Sequence, residues 1–172
     1  MALSVSFLLS ASGSLTKDDS VSIVTDTVSN DSNSFPSLAI DLTDGSGVNQ
    51  ANKWFRKYVT LAATTTTSFD MIGSTDTDPF GQANNLTRVV AFLVAIVDPD
   101  GTKALRVGPQ GGTNAFVGPF DSASSYLTVK YWHMSSEPSA TGWVVGSGTT
   151  DKFFVHNPGA SSVDFVVWIL GS

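Results

Sequence analysis

The sequence contains no cysteine among its 172 residues. A disulfide framework, a thiolate metal site and a cysteine nucleophile are therefore excluded. Charge is scarce too: Asp, Glu, Lys and Arg together make up 14%, well below the roughly 25% of an average domain. Glutamate is nearly missing, with Glu137 alone against fourteen aspartates. The net charge is −6, and no basic cluster exceeds Lys53, Arg56 and Lys57. A nucleic-acid binder normally presents a basic face that releases phosphate counterions, so direct binding to DNA or RNA is not expected. The longest apolar run, Val89–Val97, has nine residues, about half of a membrane span, and no membrane partner is expected. Met1–Ser10 lacks a charged start, and Ser4 and Ser6 interrupt its apolar residues. Both features argue against a signal peptide, so the chain reads as a soluble protein made in a cytoplasm.

Hydroxyl side chains take the place of the missing charge. Ser and Thr number 42, about a quarter of the chain, while 41% of residues are hydrophobic. That hydrophobic fraction is too high for a disordered chain. The mixture is poor in helix formers and rich in β-branched and turn-forming residues. The length suits one domain, or one domain with an arm.

The apolar residues recur with period two, the spacing of a pleated strand whose side chains alternate between faces. Leu3, Val5, Phe7 and Leu9 form one row, and Val21 and Ile23 begin another. Leu38, Ile40 and Leu42 form a third. Phe55, Val59 and Leu61 share a face, with Trp54 and Tyr58 on the other. Leu127, Val129 and Tyr131 alternate with Tyr126, Thr128, Lys130 and Trp132, and Val163, Phe165, Val167 and Ile169 oppose Asp164, Val166, Trp168 and Leu170. The run Val89–Val97 has no polar face, so it should be covered on both sides, or on one side by a partner chain.

Turn chemistry separates the rows at Asp44–Gly47, Asp76–Pro79, Asp98–Gly101, Gly108–Gly112, Gly118–Pro119 and Asn157–Gly159. After Asp98–Gly101 the segment Lys103–Val107 is expected to return as a hairpin partner. A short helical turn is expected only near Val48–Trp54 or Gln82–Leu86. The run Thr64–Thr67 suits a solvated or edge strand. These signals predict an all-β chain: an antiparallel β-sandwich or jelly roll of about nine to eleven short strands, with an N-terminal β arm as an option. Residues 1–36 read as the N-terminal strand or arm with a polar loop region, and 37–172 as the β-sandwich domain; the two could also form one continuous domain.

Signals for catalysis are weak. His133 and His156 are the only histidines. Ser135 stands near His133, but a chain with 24 serines supplies such neighbours by chance, and the Gly-x-Ser-x-Gly elbow is absent. The close aspartate pairs, Asp76 with Asp78 and Asp98 with Asp100, lie beside prolines. There a carboxylate usually braces its own turn, although oxygen ligands of this kind also suit calcium. No zinc spacing or phosphate loop is present. Trp54, Trp132, Trp143 and Trp168 could form a sugar-stacking platform; core or subunit-interface packing is the simpler reading.

Several longer segments carry a resemblance. They are Lys57–Met71, Thr75–Gly81 with Leu86–Phe92, the glycine-rich Val107–Val117, and the closing Phe153–Gly171. Over roughly residues 50–171 the chain resembles small structural proteins of tailed-bacteriophage virions, many of which decorate and cement the head. The resemblance implies a protein that is not an enzyme and needs no cofactor or metal. It implies a capsid decoration protein on the virion exterior, synthesised in the host cytoplasm. Its partners would be the major capsid protein and further copies of itself in a homotrimer. The row Leu3, Val5, Phe7 and Leu9 is the candidate oligomer or capsid contact; a plain first strand of the sandwich is the alternative. The second functional reading is a tail or fibre component recognising host surface glycans. A polysaccharide depolymerase is a third, for which the residues offer little.

Overall fold

The computed structural model describes residues 5–9, 13–18, 23–28 and 38–172 except 74, 78–80 and 82, with side chains from residue 42 onward. The chain divides into two compact units, with the break between Leu42 and Thr43. In the first unit, β1 (Val5–Leu9) pairs antiparallel with β4 (Leu38–Leu42), setting Phe7 opposite Ile40. A second ribbon joins β2 (Gly13–Asp18) to β3 (Ile23–Val28).

The second unit is an all-β sandwich of nine strands in two antiparallel sheets. One sheet runs β10 (Trp132–Ser136), β7 (Arg88–Ile96), β13 (Val163–Gly171), β5 (Lys53–Leu61), with β11 (Trp143–Val144) also on β7. The other runs β6 (Thr66–Asp70), β12 (Lys152–His156), β8 (Leu105–Val107), β9 (Leu127–Val129). The expected strand architecture is therefore present. The apolar run lies at the centre of its sheet, with β13 on one side and β10 and β11 on the other. The threonine run leads into β6, an edge strand, as its hydroxyls suggest.

Alternation places one parity of each strand in the shared core. Val163, Phe165, Val167 and Ile169 of β13 are all buried there, as are Phe92 and Val94 of β7. Facing them from the other sheet are Phe69, Leu105, Val107, Phe153 and Val155. Aromatic rings bridge the layers: Phe92 and Phe153 meet at 5.1 Å between centroids, and Phe69 and Phe165 at 6.3 Å. Such pairs add about 0.5–1.5 kcal/mol each beyond their buried area.

Two buried polar side chains tie the ends of the strands. Arg88 donates from Nε to Ser172 Oγ, from Nη1 to the Ser139 carbonyl, and from Nη2 to the Gly47 and Gln50 carbonyls, at 2.6–3.0 Å. Asn157 closes the turn before β13: its Nδ2 donates to the carbonyls of Leu61, Ala62 and Ser161, and its Oδ1 accepts from the Gly159 amide. Gly171 sits at a register shift against β7, where a Cβ would fall 1.9 Å from the Arg88 carbonyl oxygen. No side chain fits there.

Three local expectations are corrected. Lys103–Val107 does not return along β7. Both edges of β7 are already paired, and β8 instead joins β12 and β9 in the opposite sheet, where Leu105 and Val107 fill the core. The row from Tyr126 to Trp132 is not one strand: β9 and β10 lie in different sheets, and the chain changes layers between them. No helix forms among the described residues. Asn49 and Asn85 take left-handed φ values of 54° and 40°, which breaks any helical repeat at both expected places.

Candidate functional site

The outward side of the five-stranded sheet is unusually apolar. Register aligns Met134, Leu93, Trp168 and Arg56 in one row across β10, β7, β13 and β5. The next row contains Trp132, Ala95, Val166 and Tyr58. Their sequence neighbours, such as Val94 and Val167, are the buried ones, so these rows face away from the core. Directly opposed side chains lie about 4.5–5.5 Å apart at Cβ, which makes the rows continuous.

Aromatic contacts organise this face. Trp54 and Trp168 meet edge to face at 6.1 Å, and the Arg56 guanidinium lies 5.4 Å from the Trp168 ring centre. Trp132 and Tyr58 remain more than half exposed, at 54% and 57%. Local desolvation raises the Tyr58 hydroxyl above its ordinary pKa, reinforced by a hydrogen bond to Asp164 and the negative charges of Asp164 and Asp98. Soluble monomers rarely expose large contiguous apolar patches; aromatic ones usually mark contact sites.

The four tryptophans do not form one platform. Trp54, Trp132 and Trp168 belong to this outer face, whereas Trp143 packs against the core, 6.0 Å from Phe92 and 6.5 Å from Phe116. Of the candidate contact row, Leu3 lies outside the described residues. Val5, Phe7 and Leu9 lie on β1 opposite Leu42, Ile40 and Leu38, and their side chains are outside the described part.

His133 and Ser135 do meet: Nε2 and Oγ are 2.8 Å apart. Two residues apart on one strand, they share a face by construction. The ring rests 6.0 Å from Phe92, and desolvation lowers its pKa. No carboxylate is hydrogen-bonded to this imidazole among the described residues, so the pair has no orienting acid of the kind a triad uses.

Asp76 and Asp100 brace local structure. Asp76 Oδ1 accepts from Lys57 Nζ at 2.6 Å, and its Oδ2 accepts from the Asp70 amide. Asp100 Oδ1 accepts from the Thr102 hydroxyl and the Thr102 and Lys103 amides. Asp78 is outside the described residues. No group of three or more potential His, Asp or Glu ligands gathers among the described residues.

The β7 and β13 rows are visible in the sequence, but β10 with Met134 and the joint outer face of Leu93, Trp132, Met134, Val166 and Trp168 are not. The available signal was Val166 and Trp168 alternating with an equally apolar row on the same strand. No protein-family model matches the chain, and no curated protein is significantly similar to it.

Proposed function

We propose that this protein is a structural component of a tailed-bacteriophage virion: a head-decorating protein that binds the major capsid protein as a homotrimer. The observation that carries this reading is the aromatic outer face of the five-stranded sheet, with Trp132 and Tyr58 largely exposed above a complete core. The sandwich has its own interior, so those side chains are not needed to fold it. The resemblance over residues 50–171 supports the same reading.

On this reading the face packs against a neighbouring copy or the shell, and desolvating it drives assembly. Truncating a well-buried interface tryptophan typically costs about 2 kcal/mol or more of binding. Attachment stabilises the protein by mass action, since only the folded form binds. Light scattering should give three times the 18.1 kDa protomer mass, and cryo-microscopy should place the protein on the capsid exterior. A monomer that does not associate with particles would overturn the proposal. Deleting residues 1–12 tests the Leu3, Val5, Phe7 and Leu9 row separately: unchanged mass and unchanged capsid binding would remove that arm from the interface.

A further inference from the structure

We infer that the outer face of the four-stranded sheet carries a binding groove for an acidic carbohydrate, with Arg106 taking the sugar carboxylate and Tyr126 forming the stacking wall. The groove holds about 490 Å³, within the usual range of small-ligand sites.

Register builds its floor. Thr66, His156 and Arg106 are direct cross-strand neighbours on β6, β12 and β8. Thr66 Oγ1 and His156 Nδ1 are 3.0 Å apart; this bond orients the imidazole and leaves Nε2 for a ligand. The Arg106 guanidinium lies 4.7 Å from the Tyr126 ring centre. The cation is thereby held against the aromatic wall without using its N–H donors. No ion pair of Arg106 occurs among the described residues. The chain carries a net charge of −6, yet no Asp or Glu is among the described residues that line this groove.

The rim is built as firmly. Gln110 Nε2 donates to the carbonyls of Arg106 and Gly108, so the amide is anchored and its Oε1 remains an acceptor for a sugar hydroxyl. The loop is tied to the next segment by the Gly111 amide donating to the Ala123 carbonyl at 2.7 Å. At Gly108, φ is +139° and a Cβ would lie 2.8 Å from the Ser125 carbonyl oxygen. Glycine there allows the chain beside Tyr126 to come close. At Gly112 a Cβ would lie 2.5 Å from the Phe154 ring, so the backbone lies directly on that ring.

This set matches one negative charge surrounded by hydroxyls. A guanidinium meets a carboxylate in two parallel hydrogen bonds, while Tyr126, 45% exposed beside Arg106, offers the ring surface that Arg106 does not cover to the apolar side of a pyranose. A polyphosphate or nucleic-acid strand would call for several cations, and the described residues of the groove offer one permanent cation, Arg106.

The test is calorimetric titration of the full chain with trigalacturonic acid, a hyaluronan tetrasaccharide and sialyllactose, each beside its neutral methyl ester. At least one acid should bind saturably, and its ester should bind about tenfold more weakly or worse, as loss of a charge-assisted pair requires. Arg106→Met and Tyr126→Ala should each lose that binding while their melting temperatures stay near the parent value. Trp132→Glu, on the other sheet, should bind normally, which separates this site from the assembly surface. Absence of saturable binding to all three acids would overturn the inference, as would binding that survives both groove substitutions. Equal binding of an oligoglutamate peptide would overturn the carbohydrate assignment.

Discussion

The two outward faces of the sandwich differ in kind although they cover the same core. Over the five-stranded sheet the outward rows contain Trp168, Trp132, Leu93, Val166 and Met134, ending at Arg56 and Tyr58 on β5. Over the four-stranded sheet the corresponding positions contain Thr66, Ser68, His156, Arg106 and Thr128, with one aromatic ring, Phe154, paired with Ser68 beneath the Gly112 backbone. Both faces obey the same alternation, so the fold does not require the difference. An apolar outward row gains free energy only when something covers it. A hydroxyl-bearing row stays solvated and resists adhesion. The difference separates a surface suited to broad packing from one suited to a small polar ligand.

The largest effect should come from the core that both faces share. Phe92→Ala removes a fully buried ring that touches Phe153, Phe120 and Trp143. Denaturant unfolding should show a loss of about 3–5 kcal/mol, with both outward faces melting together at the lowered midpoint. A substitution on the apolar face should separate assembly from folding. Trp132→Glu is expected to change stability by only about 0.5 kcal/mol while light scattering shows the mass falling to that of the protomer. A large stability loss with unchanged mass would mean that the face belongs to the fold after all.

A smaller effect concerns the edge of the five-stranded sheet. Desolvation lowers the His133 pKa from its ordinary 6.5, so the folded edge favours the neutral ring. The unfolded chain then binds the proton more readily. Stability from this group is complete above pH 6.5 and declines as the pH falls through that value. Melting temperatures between pH 7 and 5 should therefore fall more steeply for the parent than for His133→Gln. The smallest effect belongs to the exposed turn after β7. There the Thr102 hydroxyl, with the Lys103 and Thr102 amides, holds the Asp100 carboxyl at about 2. Its contribution is present above the ordinary 3.8 and is lost as the pH falls toward 2. Asp100→Asn should remove that local pH dependence, read from the Thr102 and Lys103 amide resonances, and leave the rest of the sandwich unchanged.

Much of the fold is legible in individual rows. The alternation of Val163, Phe165, Val167 and Ile169 announces β13 and its buried side. Asn157–Gly159 announces the turn before it, although only the structure shows Asn157 holding three carbonyls. The sheet switches were not legible. Lys103–Val107 follows a tight turn and reads as a hairpin, yet β7 has no free edge for it. Trp143 reads like the other tryptophans, but its strand position directs it toward Phe116 and the core. The groove was hidden for a related reason: Arg106, His156 and Thr66 are distant in sequence and become neighbours only through register.

By itself, the sequence determined that this chain makes strands and which parity of several strands is apolar. Side-chain alternation and turn chemistry are local properties, so a single strand displays them. Tertiary structure decided which strands share a sheet, which outward rows combine into one apolar face, and where Arg106 meets Tyr126. Those outcomes depend on long-range hydrogen-bond register and on which strand edges are already occupied, and neither is encoded within a single segment.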